Sequence, residues 1–120
     1  MVKVAKFGGS SCASSEQFKK VKDIVLSDRD RKYIVVSAPG KRNSKDTKVT
    51  DLFLSLYEAV QEKKDGAEGK KSADGKVEKL LEKIQKRYQE ILDGLSLSLS
   101  LETEFQEIVK RLLSGASRDY

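Results

Sequence analysis

Val2, Val4, Ala5 and Phe7 form a short apolar run of strand length, which Gly8 and Gly9 stop abruptly. Ser14-Ser15-Glu16-Gln17 then has the form of a capping box, with Ser14 as N-cap and Gln17 three residues on. Phe18, Val21 and Val25, with Ile24 beside them, mark a helical stripe to about Leu26, and Ser27-Asp28-Arg29-Asp30 predicts a polar turn. Tyr33-Ile34-Val35-Val36 is a continuous β-branched and aromatic run. That composition suits a strand buried on both faces, as a parallel sheet requires. Two strands joined by a helix predict a right-handed βαβ unit, and ligands of such sheets sit beyond the carboxyl ends of the strands. The loops Gly8 to Ser11 and Ser37-Ala38-Pro39-Gly40 are therefore expected side by side.

The rest of the chain has helical period. Leu52, Leu56 and Val60 predict a helix from about Lys48 to Lys63, with Thr47 as its cap. The charged, glycine-broken stretch from Lys64 to Ser72 predicts an exposed loop. Val77, Leu80, Leu81, Ile84, Tyr88 and Ile91 predict a third helix ending at Gly94. Leu95 to Leu101 alternates Leu and Ser with period two, but these are poor strand formers, so an extended connector is expected, with Ser100 capping the last helix. That helix carries Leu101, Phe105, Ile108, Val109 and Leu112 and ends near Ser114-Gly115. An isolated pair of parallel strands is not a stable core, so the pattern is that of a piece of a larger fold. Apolar surface is expected on the open sheet and on the helices bearing Leu80 and Ile108, favouring self-association.

At 120 residues and 38% hydrophobic, the chain allows one small domain with a modest core. The net charge of +5 raises nucleic acid or a membrane surface as partners. The lysines are dispersed among glutamates, as in Glu78-Lys79 and Glu82-Lys83, which is the pattern of a solvated face, so neither partner is expected. One cysteine and no histidine exclude an internal disulfide and a Cys/His zinc site. With no leader and no apolar run near 18 residues, a soluble cytoplasmic protein is expected. Without histidine, any chemistry must use Lys, Asp, Glu, hydroxyls and backbone.

The first glycine turn is the candidate. A strand, a glycine turn and a helix N-terminus in succession favour an anion, because turn amides and the helix dipole point at it. Lys6 would add a full positive charge. The same residues also suit a plain β–turn–α connection, and neither the P-loop nor the dinucleotide spacing is present, so chemistry alone leaves both open.

Lys6-Phe7-Gly8-Gly9-Ser10-Ser11 resembles the opening signature of the aspartate kinases, with Ser10 in place of the usual threonine and Cys12 in place of valine. Val35-Val36-Ser37-Ala38 and Val49-Thr50-Asp51-Leu52 are similar to the next two signatures. The resemblance implies the N-terminal part of an amino-acid kinase domain, an α/β/α sandwich of three layers, with the regulatory ACT domains outside these residues. It implies transfer of the ATP γ-phosphoryl to the side-chain carboxylate of L-aspartate, the first step toward lysine, threonine and methionine. Lys6 would be catalytic, compensating charge on the moving group, while Gly8, Gly9, Ser10 and Ser11 would cradle phosphate. Ser37, Ala38 and Thr50 would line the aspartate side. Mg²⁺ would be held by phosphates and not by residues of this chain. A homo-oligomer is implied for the whole enzyme, and no activity for these residues alone. Glutamate, acetylglutamate or uridylate kinases are the rivals within the fold, and a non-catalytic helical interaction fragment is the rival outside it.

Overall fold

The computed structural model describes residues 1–65 and 70–120, and within them the side chains of all but 64, 65 and 70–74. Strand β1 (Lys3–Phe7) passes through a 3-10 turn (Gly9–Cys12) into helix α1 (Ser15–Leu26), which leads to strand β2 (Arg31–Val36). Helices α2 (Val49–Asp65), α3 (Lys70–Gly94) and α4 (Glu102–Leu113) follow. The strands are parallel, with Val4 opposite Tyr33, Ala5 opposite Ile34, Lys6 opposite Val35 and Phe7 opposite Val36. The described chain is thus an α/β arrangement of one two-stranded parallel sheet and four helices.

Local chemistry sets the start of α1 where the sequence predicts it. Ser14 is extended, and its Oγ accepts from the Gln17 N–H at 3.3 Å, satisfying one of the free donors of the first turn. The helix then lays Phe18, Val21 and Val25 over Ala5, Phe7 and Cys12 to make a small core against β1. The expected burial of β2 on both faces does not occur. Tyr33, Ile34, Val35 and Val36 are 38% to 63% exposed, because α1 packs over Ala5 and Phe7 and no described element covers the remainder. Covering a large apolar side chain completely stabilises by roughly 1.5–3 kcal/mol, so this sheet leaves a substantial driving force unused.

A second, larger core lies between α2, α3 and α4. Leu56 and Ile84 are fully buried at its centre, with Leu52, Ala59, Val60, Val77, Phe105 and Leu112 around them. Phe105 meets Tyr88 edge-on, with ring centroids 5.9 Å apart. Leu80 and Ile108 pack against this cluster and are half-buried, while Leu113 of α4 stays exposed.

Helix ends show where local reading gives way to packing. Helix α2 begins at Val49, with the Lys48 carbonyl accepting from the Leu52 N–H, so Lys48 and not Thr47 occupies the cap position. The loop expected from Lys64 to Ser72 is helical at both margins, α2 reaching Asp65 and α3 starting at Lys70; residues 66–69 lie outside the described residues. Gly94 is the last residue of α3 and not its left-handed cap: a Cβ there would lie 2.1 Å from Ser15 Oγ, so its role is to let α3 meet the start of α1. Ser96 takes the left-handed position instead, at φ 56°, with Ser96 N–H bonded to Asp93 O and Leu97 N–H to Leu92 O. The Leu-Ser segment that follows is a connector, and Leu101, not Ser100, takes the cap position of α4, although Ser100 Oγ accepts from the Glu102 N–H at 3.3 Å just before it.

Candidate functional site

Parallel pairing brings the two post-strand loops together. Ser37 N–H extends the ladder to Phe7 O at 3.1 Å, and Gly40 N–H donates to Gly9 O at 2.8 Å. The contact is backbone on backbone, since a Cβ on Gly40 would fall 2.6 Å from the Gly9 carbonyl carbon. Gly8 differs: it is exposed and extended at φ −75°, with nothing within 4 Å of a built Cβ. The paired glycines therefore divide the work, Gly9 fitting the second loop and Gly8 leaving open space at the strand end. The third segment is tied in by Val49 N–H, which donates to Pro39 O at 3.1 Å and brings the first turn of α2 to the same place.

A cleft of about 520 Å³ lies where these segments meet. It is lined by Gly9 and Ser10 from the first loop, Ser37 to Lys41 from the second, and Lys48, Thr50 and Asp51 at the start of α2. Of the residues singled out in the sequence, Gly9, Ser10, Ser37, Ala38 and Thr50 are thus brought together. Lys6, Gly8 and Ser11 are not among those lining the cleft. Lys6 is exposed on β1 opposite Val35, on the strand face away from Ala5 and Phe7, and has no ion-pair partner among the described residues. Ser11 is half-buried in the 3-10 turn, its N–H bonded to Gly8 O at 3.1 Å.

Lys41 and Lys48 were not singled out, yet both line the cleft and bring positive charge to it, beside the N-terminal dipole of α2 and the opposing carboxylate of Asp51. Also missed is Arg87 of α3, which is 4% exposed. Its Nη2 donates to Gly40 O at 2.9 Å and to Ala13 O, and its Nε stands 3.9 Å from Asp46 Oδ2. Asp46 is gripped by the Arg42 fork, Nε to Oδ2 at 2.7 Å and Nη2 to Oδ1 at 3.0 Å, and Arg42 also reaches Glu90. The hydrogen bond from Arg42 holds the Asp46 carboxyl well below its ordinary pKa. Burial, and then the charge of Arg42, lower that of Arg87. A signal for Arg87 existed: it stands three residues after Ile84 and four before Ile91, on the apolar stripe.

Comparison with known proteins places this geometry. No family model matches the chain. Aspartokinase 3 of Bacillus subtilis is 41% identical over 114 residues, which is 95% of this chain and 23% of that protein. The aspartate kinase of Clostridium acetobutylicum superposes with a TM-score of 0.79 at 43% identity, over 98% of this chain and 24% of that one. The chain is homologous to the aspartokinases. Aspartokinase III of Escherichia coli, solved in complex with aspartate and ADP, has the same coverage, with a TM-score of 0.66 and 25% identity. This chain spans about a quarter of the length of these aspartokinases.

Proposed function

We propose that the chain is part of the catalytic domain of an aspartate kinase, which passes the γ-phosphoryl group of ATP to the side-chain carboxylate of L-aspartate and gives 4-phospho-L-aspartate and ADP. The observation that carries this reading is the meeting of all three aspartokinase-like segments at one place, with Ser10, Ser37 and Thr50 around a single cleft. Likeness to a relative solved with aspartate and ADP supports the same substrates here. In this transfer a carboxylate oxygen attacks phosphorus while the bond to the β–γ bridging oxygen breaks. The attacking group is already ionised at neutral pH, so no general base is needed, which suits a chain without histidine.

What remains for the protein is placement and charge compensation. Lys6 is the candidate for compensating the transferring group, and the Gly8 and Gly9 amides with Ser10 and Ser11 are candidates for holding phosphate. Ser37, Ala38 and Thr50 are candidates for the aspartate side. Among the described residues Asp51 is the one carboxylate lining the cleft, and no group of three or more His, Cys, Asp or Glu side chains is arranged to hold a metal ion. That donor set suits a Mg²⁺ carried in on the phosphates, where it would neutralise their charge.

The bare faces of β2 and the quarter-length match support a longer polypeptide in which further strands and helices complete a three-layer sandwich, with regulatory domains outside these residues. A cytoplasmic homo-oligomer belongs to the same proposal. The test is hydroxylamine trapping of acyl phosphate from the protein encoded by the full reading frame containing this chain. Hydroxamate that requires both ATP and L-aspartate supports the proposal. Its absence, or equal product with glutamate or acetylglutamate, refutes it.

A further inference from the structure

We propose that Arg87 is the positioning residue that holds the two loops of the cleft against each other. The proposal rests on the kinase reading for its catalytic consequence and on geometry alone for the rest. A single nitrogen of Arg87, brought in from α3, bonds Ala13 O at the end of the first loop and Gly40 O in the second. Gly40 in turn donates to Gly9 O at 2.8 Å. The two segments that line the cleft are thus joined directly at Gly9 and Gly40, and bridged a second time through the guanidinium. Asp46, held by Arg42, stands near the buried charge at 3.9 Å and ties the stretch between Gly40 and α2 into the same group.

Stability alone does not explain an arginine here. Its neighbours on the stripe are Ile84 and Ile91, and its buried Nε and Nη1 have no hydrogen-bond partner among the described residues. Replacing a buried ion pair as a whole with apolar residues of similar volume is often neutral or stabilising. An arginine in this position trades that gain for fixed loop geometry. A kinase needs such geometry, because a small displacement of a group at the reacting centre costs rate steeply.

The experiment uses Arg87→Met, which keeps the apolar stem, and Arg87→Lys, which keeps a charged donor, in the protein of the full reading frame. Hydrogen exchange is followed at Gly40, with Leu56 and Val60 in the helical core as references, and aspartate kinase kinetics are measured alongside. Arg87→Met is expected to speed Gly40 exchange by about tenfold or more, with Leu56 and Val60 unchanged. It should raise the aspartate KM by a larger factor than it lowers kcat, and Arg87→Lys should recover part of both effects. Unchanged Gly40 exchange, or a rise shared equally by Leu56 and Val60, overturns the proposal. If the unsubstituted protein forms no aspartyl phosphate, the kinase reading fails, while the exchange comparison still decides whether Arg87 holds the loops.

Discussion

Gly40→Ala inserts a methyl group into the tightest backbone contact at the cleft. The new Cβ would lie 2.6 Å from Gly9 C, 2.8 Å from Gly9 O and 3.0 Å from Ser10 N. The nearest of these is about 0.8 Å short of the 3.4 Å at which ordinary contact begins. All three are main-chain atoms, so no rotamer change relieves the clash and the loops must separate. Overpacking of this kind costs about 1–3 kcal/mol, and losing the Gly40 N–H bond to Gly9 O adds about 1 kcal/mol. The expected destabilisation is about 2–4 kcal/mol, read as a urea midpoint lowered by roughly 1–2 M. Two controls set the scale. A Cβ on Gly9 comes no closer than 3.3 Å to Gly40, so Gly9→Ala should cost about 1 kcal/mol or less. Gly8→Ala meets nothing within 4 Å at an ordinary φ and should be neutral or stabilising by up to about 1 kcal/mol. Equal midpoints for Gly40→Ala and Gly8→Ala would refute the apposition of the two loops.

Three further outcomes are expected. Ser96→Gly should raise stability by about 0.5–1 kcal/mol in the same denaturation assay, since it removes a left-handed serine at the end of α3; a loss would contradict the cap assignment. Asp46 has a depressed folded-state pKa, so its contribution is full above the ordinary carboxylate range and shrinks as pH falls through and below it. The stability difference between the native chain and Asp46→Asn should therefore narrow below about pH 4, and a pH-independent difference would exclude the Arg42 pair as its source. In the full-reading-frame protein, Lys6→Ala should lower kcat by on the order of 10² or more with a smaller change in aspartate KM, and Lys6→Arg should not restore it. Near-normal turnover in the Ala variant would make Lys6 a surface residue of β1.

Much of the architecture was legible because its causes are local. The Ser14 cap, the stripe of Phe18, Val21 and Val25, and the β-branched run before Ser37 each carry their signal within a few residues. From these the parallel pairing and the meeting of the two loops followed. The burial of β2 did not follow, because burial belongs to neighbours and not to the strand itself. The end of α3 at Gly94 was legible, but the reason for its glycine was not: Gly94 answers to Ser15, a contact 79 residues away in the chain, while Ser96 takes the backbone conformation that glycine usually serves. Arg87 and the lysines of the cleft were obscured by composition. In a chain with 24 Lys and Arg residues, pattern separates the buried arginine from the solvated ones only through its place on the apolar stripe.

The central claim is that the loops after β1 and β2 form one site for phosphate and aspartate. Crystals of the protein from the full reading frame, grown with Mg²⁺, ADP and L-aspartate, test it most directly. Density for the nucleotide phosphates over Gly8 to Ser11 beside Lys6, with aspartate against Ser37 and Thr50, is the predicted result. Phosphates or aspartate bound away from both loops would contradict it.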